Sequence, residues 1–157
     1  MKVEPFLIEP QRAHDQSHIL ALIRQASLVE TDLHAGAPVD FLVMREAGRV
    51  VGTIGLQSAS GAGLLRSLVV QRSLQRQGRG AALVAAAERL AAGRGIDDLY
   101  LLTNDVAAFF ALLDYLRVDR GTAPPAVQNT AHFSYLCPAT SVLMHKRLRQ
   151  LSQVRDD

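Results

Sequence analysis

Apolar positions along the chain follow two rhythms, one of period two and one near 3.6. Phe6-Leu7-Ile8 is a short apolar run closed by Pro10 and reads as a first strand. From His14 to Ser27, Ile19, Leu20, Ile23 and Ala26 recur at helical spacing and predict an amphipathic helix. Asp32 to Pro38 carries Gly and Pro and reads as a loop. Phe41 to Met44 and Val50 to Leu56 predict strands, with Glu46-Ala47-Gly48 as the hairpin turn between them. Gly61-Ala62-Gly63 is a second turn, and Leu64 to Val70 completes a three-strand meander.

A polar loop then runs from Gln71 to Gly78. Leu83, Val84, Ala87, Leu90 and Ala91 place one apolar face on a helix from Arg79 to Ala92, stopped by Gly93 and Gly95. Asp98 to Thr103 predicts a strand parallel to the preceding one. Asn104 or Asp105 can cap a helix carrying Phe109, Phe110 and Leu113. Leu116 to Val118 predicts a strand, Gly121 to Pro125 a loop, and Pro124 or Pro125 the start of a short helix reaching Phe133. Ser141 to Met144 is a last strand, and 148–157 is a polar tail expected to fray.

Composition narrows the class. The 157 residues suit one domain able to bury a core without cross-links. The net charge of +2 is spread along the chain, and there is no Trp and only three Tyr, which argues against a nucleic-acid surface. A single cysteine, Cys137, excludes an intrachain disulfide and suits a reducing compartment. The first five residues lack the pattern of a secretory signal, and no apolar run nears the ~20 residues a membrane helix needs. The expectation is a cytoplasmic protein without nucleic-acid or membrane partners and with no metal site.

The chemistry concentrates in the loop after Val70, which reads Gln75-Arg76-Gln77-Gly78-Arg79-Gly80-Ala81. Two glycines remove Cβ atoms where backbone approaches a ligand. Successive N–H groups at a helix N-terminus favour an anion, and Arg76 and Arg79 add positive charge. A diphosphate fits such a cradle. The Walker pattern requires a Gly-Lys pair, and the chain has none. The dinucleotide fingerprint requires a third Gly where Leu83 stands.

This loop resembles the acetyl-coenzyme A loop of the GNAT superfamily, Gln/Arg-x-x-Gly-x-Gly/Ala. Downstream, Asn104, Ala107-Ala108-Phe109-Phe110 and Leu113-Asp114-Tyr115 resemble the fourth-helix region of the same enzymes, with Asp114 in place of the usual Gly. The two matches span about Leu64 to Val118. A third stretch, Pro125-Ala126-Val127, Thr130, Phe133, Leu136-Cys137-Pro138-Ala139 and Ser141, resembles a narrower set. That set holds amino-acid acetyltransferases of the N-acetylglutamate synthase type and arsenic-resistance-associated proteins. His132 departs from the acid or amide common there.

The resemblance implies a single α/β GNAT domain over 1–157. It implies a mixed sheet of six or seven strands, helices on both faces, and splayed fourth and fifth strands. It implies acetyl-CoA as co-substrate. Gln75 and Arg76 open its loop, and backbone N–H groups from Gln77 through Gly78, Arg79 and Gly80 to Ala81 hold the diphosphate. Leu68, Val69 and Val70 pair with the pantetheine amides as an added strand would. Asn104, Phe109 and Phe110 flank the same arm. The acceptor is then the amine of a small amino acid or of a toxin such as phosphinothricin or arsinothricin. A sensor that binds acetyl-CoA without turnover and a protein or peptide acetyltransferase are the alternatives, and a homodimer is possible for the fold.

Arg66 lies inside an apolar strand, in phase with Leu64, Leu68 and Val70. It is either a clamp for a substrate carboxylate or a structural charge, paired with an acid or facing solvent at a strand end. Thr130 and Ser141 are candidate substrate hydrogen-bond donors. Tyr135 and Cys137 are candidate proton donors to the leaving thiolate, although a cysteine between Leu136 and Pro138 also suits a small buried position. Tyr115 is a further candidate acid, but it occupies the aromatic position after the fourth helix and reads as core. No Glu stands on the central strands, so the general base is open, with His34, His132 or an ordered water as candidates.

Overall fold

The structure is a computed structural model that describes residues 6–136 and 140–148, leaving out the side chains of Tyr135 and Leu136. Seven strands form one sheet in the order β1-β2-β3-β4-β5-β7-β6. They are β1 (Phe6–Pro10), β2 (Val39–Glu46), β3 (Arg49–Ala59), β4 (Ala62–Val70), β5 (Asp98–Thr103), β6 (Leu116–Val118) and β7 (Val142–Arg147). The helices are α1 (Gln16–Gln25), α2 (Thr31–His34), α3 (Arg79–Gly93), α4 (Ala107–Ala111) and α5 (Pro125–Gln128).

The sheet is mixed. β4 and β5 run parallel, with Ala62 to Leu64 opposite Asp98 to Tyr100. A parallel neighbour requires a crossover, and α3 supplies it. β7 returns antiparallel beside β5, with Leu101 opposite Met144, and it carries β6 on its other edge.

The chain divides into two compact units, 1–56 with 67–87, and 57–66 with 88–157. In the first unit, α1 buries Ile19, Leu22 and Ile23 with Phe41, Val43 and Val69. The expected apolar face therefore turns by a fraction of a turn: Leu22 is buried where Leu20 was expected, and Ala26 lies past the helix end. Gly52 allows close packing here, since a Cβ would meet Leu83 Cδ1 and the Val69 carbonyl at 3.1 Å. An ion cluster anchors the start of α1. Arg45 donates to Asp15 at 3.0 and 2.5 Å and to Glu9 at 2.5 Å. Those bonds hold the buried Asp15 carboxyl at about 2, below its ordinary 3.8.

The second unit packs Ala59, Leu64, Tyr100, Val127, Phe133 and Leu143 together. A partly buried polar chain lies in the same unit. Tyr115 Oη donates to Glu88 Oε2 at 2.8 Å, and Lys146 Nζ donates to the same oxygen at 3.0 Å and to the Leu113 carbonyl at 3.0 Å. Burial, then the Glu88 charge, push the Tyr115 hydroxyl well above its ordinary range.

Several expectations shift. Residues 31–34, expected as part of a loop, form α2, where Glu30 pairs with Arg24 and with His34 and so braces the turn. The second hairpin corner is Ser60-Gly61, both left-handed, which frees Gly63 to pair in β4. This matches the first corner, Ala47-Gly48, and both suit the right-handed twist of a tight hairpin. The helix expected to reach Phe133 ends at Gln128. There Thr130 Oγ1 donates to the Val127 carbonyl at 2.8 Å, and a separate turn spans His132–Leu136. Leu148 is buried, and its N–H donates to the Asp97 carbonyl at 2.6 Å. The rest of the expected tail, 149–157, lies outside the described residues.

Candidate functional site

The site is built first from β4, a loop and α3. Within β4, Ser67 adopts φ 57 and is buried. A left-handed residue inside a strand interrupts the pleat. The phase of Leu64 and Arg66 therefore cannot be carried to Leu68 and Val70 by counting residues. After Val70 the chain is pinned twice: the Gln71 N–H donates to the Val51 carbonyl at 2.8 Å, and Gln75 Nε2 donates to the Val70 carbonyl at 2.9 Å.

Arg76 (φ 65) and Gly78 (φ 82) are both left-handed, and they turn the loop into α3. A Cβ at Gly78 would meet nothing within 4 Å, so the loop is open at that point. The Gly78 carbonyl accepts the Ala82 N–H at 3.1 Å, which opens the helix ladder. The N–H groups of Arg79, Gly80 and Ala81 consequently have no acceptor within the helix, the arrangement that attracts an anion.

The two loop arginines differ. Arg76 is exposed, whereas Arg79 is buried. Arg79 Nη2 donates to Glu46 Oε2, Nη1 donates to Gln77 Oε1 at 2.5 Å, and the guanidinium lies 5.5 Å from the Phe6 ring centre.

In the second unit, Asn104 follows β5 and Ser141 precedes β7. Ser141 Oγ donates to Asn104 Oδ1 at 3.0 Å, so two candidates far apart in sequence come together. Beside Ser141 lies a cavity of about 590 Å³ whose lining includes Arg117, Asp119, Arg120 and Thr140. Arg120 is fixed by the Ser141 and Phe133 carbonyls at 3.1 and 3.3 Å, with the Phe133 ring at 4.7 Å. Sequence reading did not single out Arg117 or Arg120. Their only signal was charge next to a loop, which is common on any surface.

Arg66 is 4 % exposed, and its Nη1 donates to Gln57 Oε1 at 3.3 Å. Burial excludes the reading of Arg66 as a solvent-facing strand end. Phe109 and Phe110 meet edge to face at 5.0 Å, with Phe110 the more buried. Tyr115 is fully buried and spends its proton on Glu88, so it belongs to the core. Thr130 is occupied by its own turn, donating to Val127 and accepting the Phe133 N–H at 3.2 Å. His34 is exposed and 2.9 Å from Glu30, while His132 is buried. Cys137 and the side chain of Tyr135 lie outside the described residues. Among the described residues no cluster of His, Cys, Asp or Glu could hold a metal ion, and no helix is long and apolar enough to cross a membrane.

The mixed seven-stranded sheet, with β4 leading through a Gly-bearing loop into α3, is the fold of the coenzyme A-dependent acetyltransferases. The chain belongs to the Acetyltransferase (GNAT) family, which it matches over residues 5–115. Comparison with curated proteins finds no match. Among solved structures, the chain is similar to N-acetylglutamate synthase from Neisseria gonorrhoeae, solved with coenzyme A and N-acetyl-glutamate. The TM-score is 0.76 at 22 % identity, over 94 % of this chain and 36 % of that one. The chain thus spans about a third of that synthase. It is also similar to Rv2747 from Mycobacterium tuberculosis, solved with coenzyme A, with TM-score 0.76 at 19 % identity over 90 % of this chain and 98 % of that one. The ribosomal-protein-S18-alanine N-acetyltransferase of Escherichia coli aligns with TM-score 0.69 at 16 % identity, over 92 % and 94 %.

Proposed function

We propose that this GNAT acetyltransferase moves the acetyl group of acetyl-CoA to the amine of a small amino acid or amino-acid-like toxin. The observation that carries this reading is the Gln75–Ala81 loop. It offers three N–H groups without helical acceptors, an open Gly78 and an exposed Arg76 in one place. That donor set suits a diphosphate. In the first unit the reading assigns the backbone of Leu68, Val69 and Val70 to the pantetheine amides. In the second it assigns Asn104, Phe109 and Phe110 to the same arm.

The amine nitrogen attacks the thioester carbonyl carbon, the C–S bond breaks, and coenzyme A leaves as a thiolate that takes up a proton. An amine is mostly ammonium near neutral pH, so a base or a water chain removes a proton first. A backbone N–H at Val69 or Val70 faces the developing oxyanion in this scheme. Tyr115 is not the acid, because its hydroxyl is committed to Glu88. Tyr135 and Cys137 stay as the proposed proton donors to sulfur.

Two features support an acceptor bearing an acid group. Arg66 is a buried guanidinium, and Arg117 and Arg120 line the cavity beside Ser141. The likeness to a synthase solved with N-acetyl-glutamate points the same way.

The test is acetyl transfer followed by thiol release, with glutamate, phosphinothricin, arsinothricin, a polyamine and a lysine peptide as acceptors. Turnover is expected with an acidic amino acid, and Arg66→Ala is expected to lower kcat/KM by about 100-fold. Turnover of the peptide alone would replace this reading with a protein acetyltransferase. Coenzyme A binding without any turnover would replace it with a sensor.

A further inference from the structure

Glu46 ends β2, directly before the rigid corner made by Ala47 and Gly48. Arg79 begins α3, at the exit of the loop. The two residues are 33 apart in sequence, yet Arg79 Nη2 donates to Glu46 Oε2, with side-chain exposures of 9 % and 16 %. The same guanidinium donates to Gln77 Oε1 at 2.5 Å. It therefore grips both flanks of Gly78. Its Nε is buried without a hydrogen-bond partner, so the side chain is aimed at the hairpin at some cost in solvation.

We infer that Glu46 and Arg79 are a positioning pair that holds the loop in its diphosphate-binding shape, with Arg79 acting through loop geometry and not as a direct phosphate ligand. The inference rests on the reading of this loop as the acetyl-CoA site. Two physical arguments carry it. First, the loop needs Arg76 left-handed, a conformation unfavourable for a residue with a Cβ. Such a loop keeps its shape only where neighbours over-determine it, and the bridge from Gln77 to Glu46 does so at the adjoining residue. Second, a carboxylate near a diphosphate repels it. Arg79 cancels Glu46, and its loss would leave that charge bare beside the ligand.

The test measures coenzyme A binding by titration calorimetry on the full chain. The proteins are wild type, Glu46→Gln, Arg79→Met and the double variant. Pantetheine, which lacks the diphosphate, is followed by ligand-detected NMR on the same proteins. Arg79→Met is expected to raise Kd for coenzyme A about 10-fold, and the double variant about 3-fold, because removing the carboxylate relieves the repulsion. Pantetheine binding is expected to stay within about twofold in all four proteins, a selectivity that general destabilisation does not produce. An unchanged coenzyme A Kd in a folded Arg79→Met protein overturns the inference, as do parallel losses for coenzyme A and pantetheine. If Arg79→Met does not fold, the double variant, which leaves no bare carboxylate, decides: its loss of about 3-fold for coenzyme A must appear without a matching loss for pantetheine. Wild-type protein that fails to bind coenzyme A would sink the acetyl-CoA reading itself. Wild-type binding with unmoved variants sinks only the pair.

Discussion

Among the ion pairs of the described residues, Glu46 with Arg79 and Glu88 with Lys146 make an instructive contrast. In the first unit, Glu46 meets Arg79 at the mouth of a loop. In the second, Glu88 meets Lys146 inside the packing and also takes the Tyr115 hydroxyl. Both acids are largely withdrawn from water. Glu88 receives a lysine that also caps the Leu113 carbonyl, and the Tyr115 ring lies 5.4 Å from the ammonium. Every partner there is structural. Glu46 receives a planar fork that reaches a second side chain on the loop, so its geometry is passed to backbone that a ligand would touch. Removing charge should therefore cost stability in one place and ligand affinity in the other.

The largest effect expected from breaking this contrast is in the second unit. Lys146→Met leaves the Glu88 carboxylate without its cation and should destabilise the fold by about 3 kcal/mol in chemical denaturation. Its Kd for coenzyme A should stay within about twofold of wild type. A loss of coenzyme A affinity as large as that of Arg79→Met would erase the distinction.

A smaller effect comes from Tyr115→Phe, which removes one buried hydrogen bond to a charged acceptor and should cost about 1.5 kcal/mol. The variant also carries a signature in base. The folded pKa of Tyr115 is raised above the ordinary 10.0, so its contribution is complete below about pH 10 and is lost as pH rises beyond it. Alkaline destabilisation measured by Tm above pH 10 should be weaker in the variant than in wild type. Equal slopes would remove the buried-hydroxyl assignment.

The smallest effect concerns the third pair, Asp15 and Arg45. Here the folded pKa is depressed from 3.8 to about 2, so the stabilisation is present above pH 3.8 and fades as pH falls toward 2. The acid limb of a Tm–pH curve should flatten in Asp15→Asn. A limb of wild-type steepness would assign acid unfolding to other carboxylates.

Short-range order was legible in the sequence. Period-two and period-3.6 runs placed the strands and the long helices, and the spacing of Gln75, Gly78 and Gly80 singled out the loop between β4 and α3. Contacts made by folding were not. Glu46 looked like an ordinary turn residue, and nothing in its neighbourhood announces a partner 33 positions away. Arg79 looks in the sequence like a charge for a diphosphate, and its bond to Glu46 depends on the β2 corner meeting the start of α3. The left-handed Ser67 left no trace either, since serine is common in strands and in turns alike. Ser141 and Asn104 were both candidates, but their contact closes across 37 residues and depends on β7 lying beside β5. Residue type constrains the neighbourhood a few positions away, whereas register constrains the rest.

Asp114 shows what such a limit means for reading relatives of this protein. It stands where the resembled motif has glycine, and it adopts φ 76, with its N–H bonded to the Ala111 carbonyl at 3.1 Å. Aspartate and glycine codons differ by one base, and both residues visit this part of dihedral space, aspartate at a modest penalty. A drifting lineage can therefore cross between them without rebuilding the turn. A search pattern written in letters rejects the site, while one written in backbone angles accepts it.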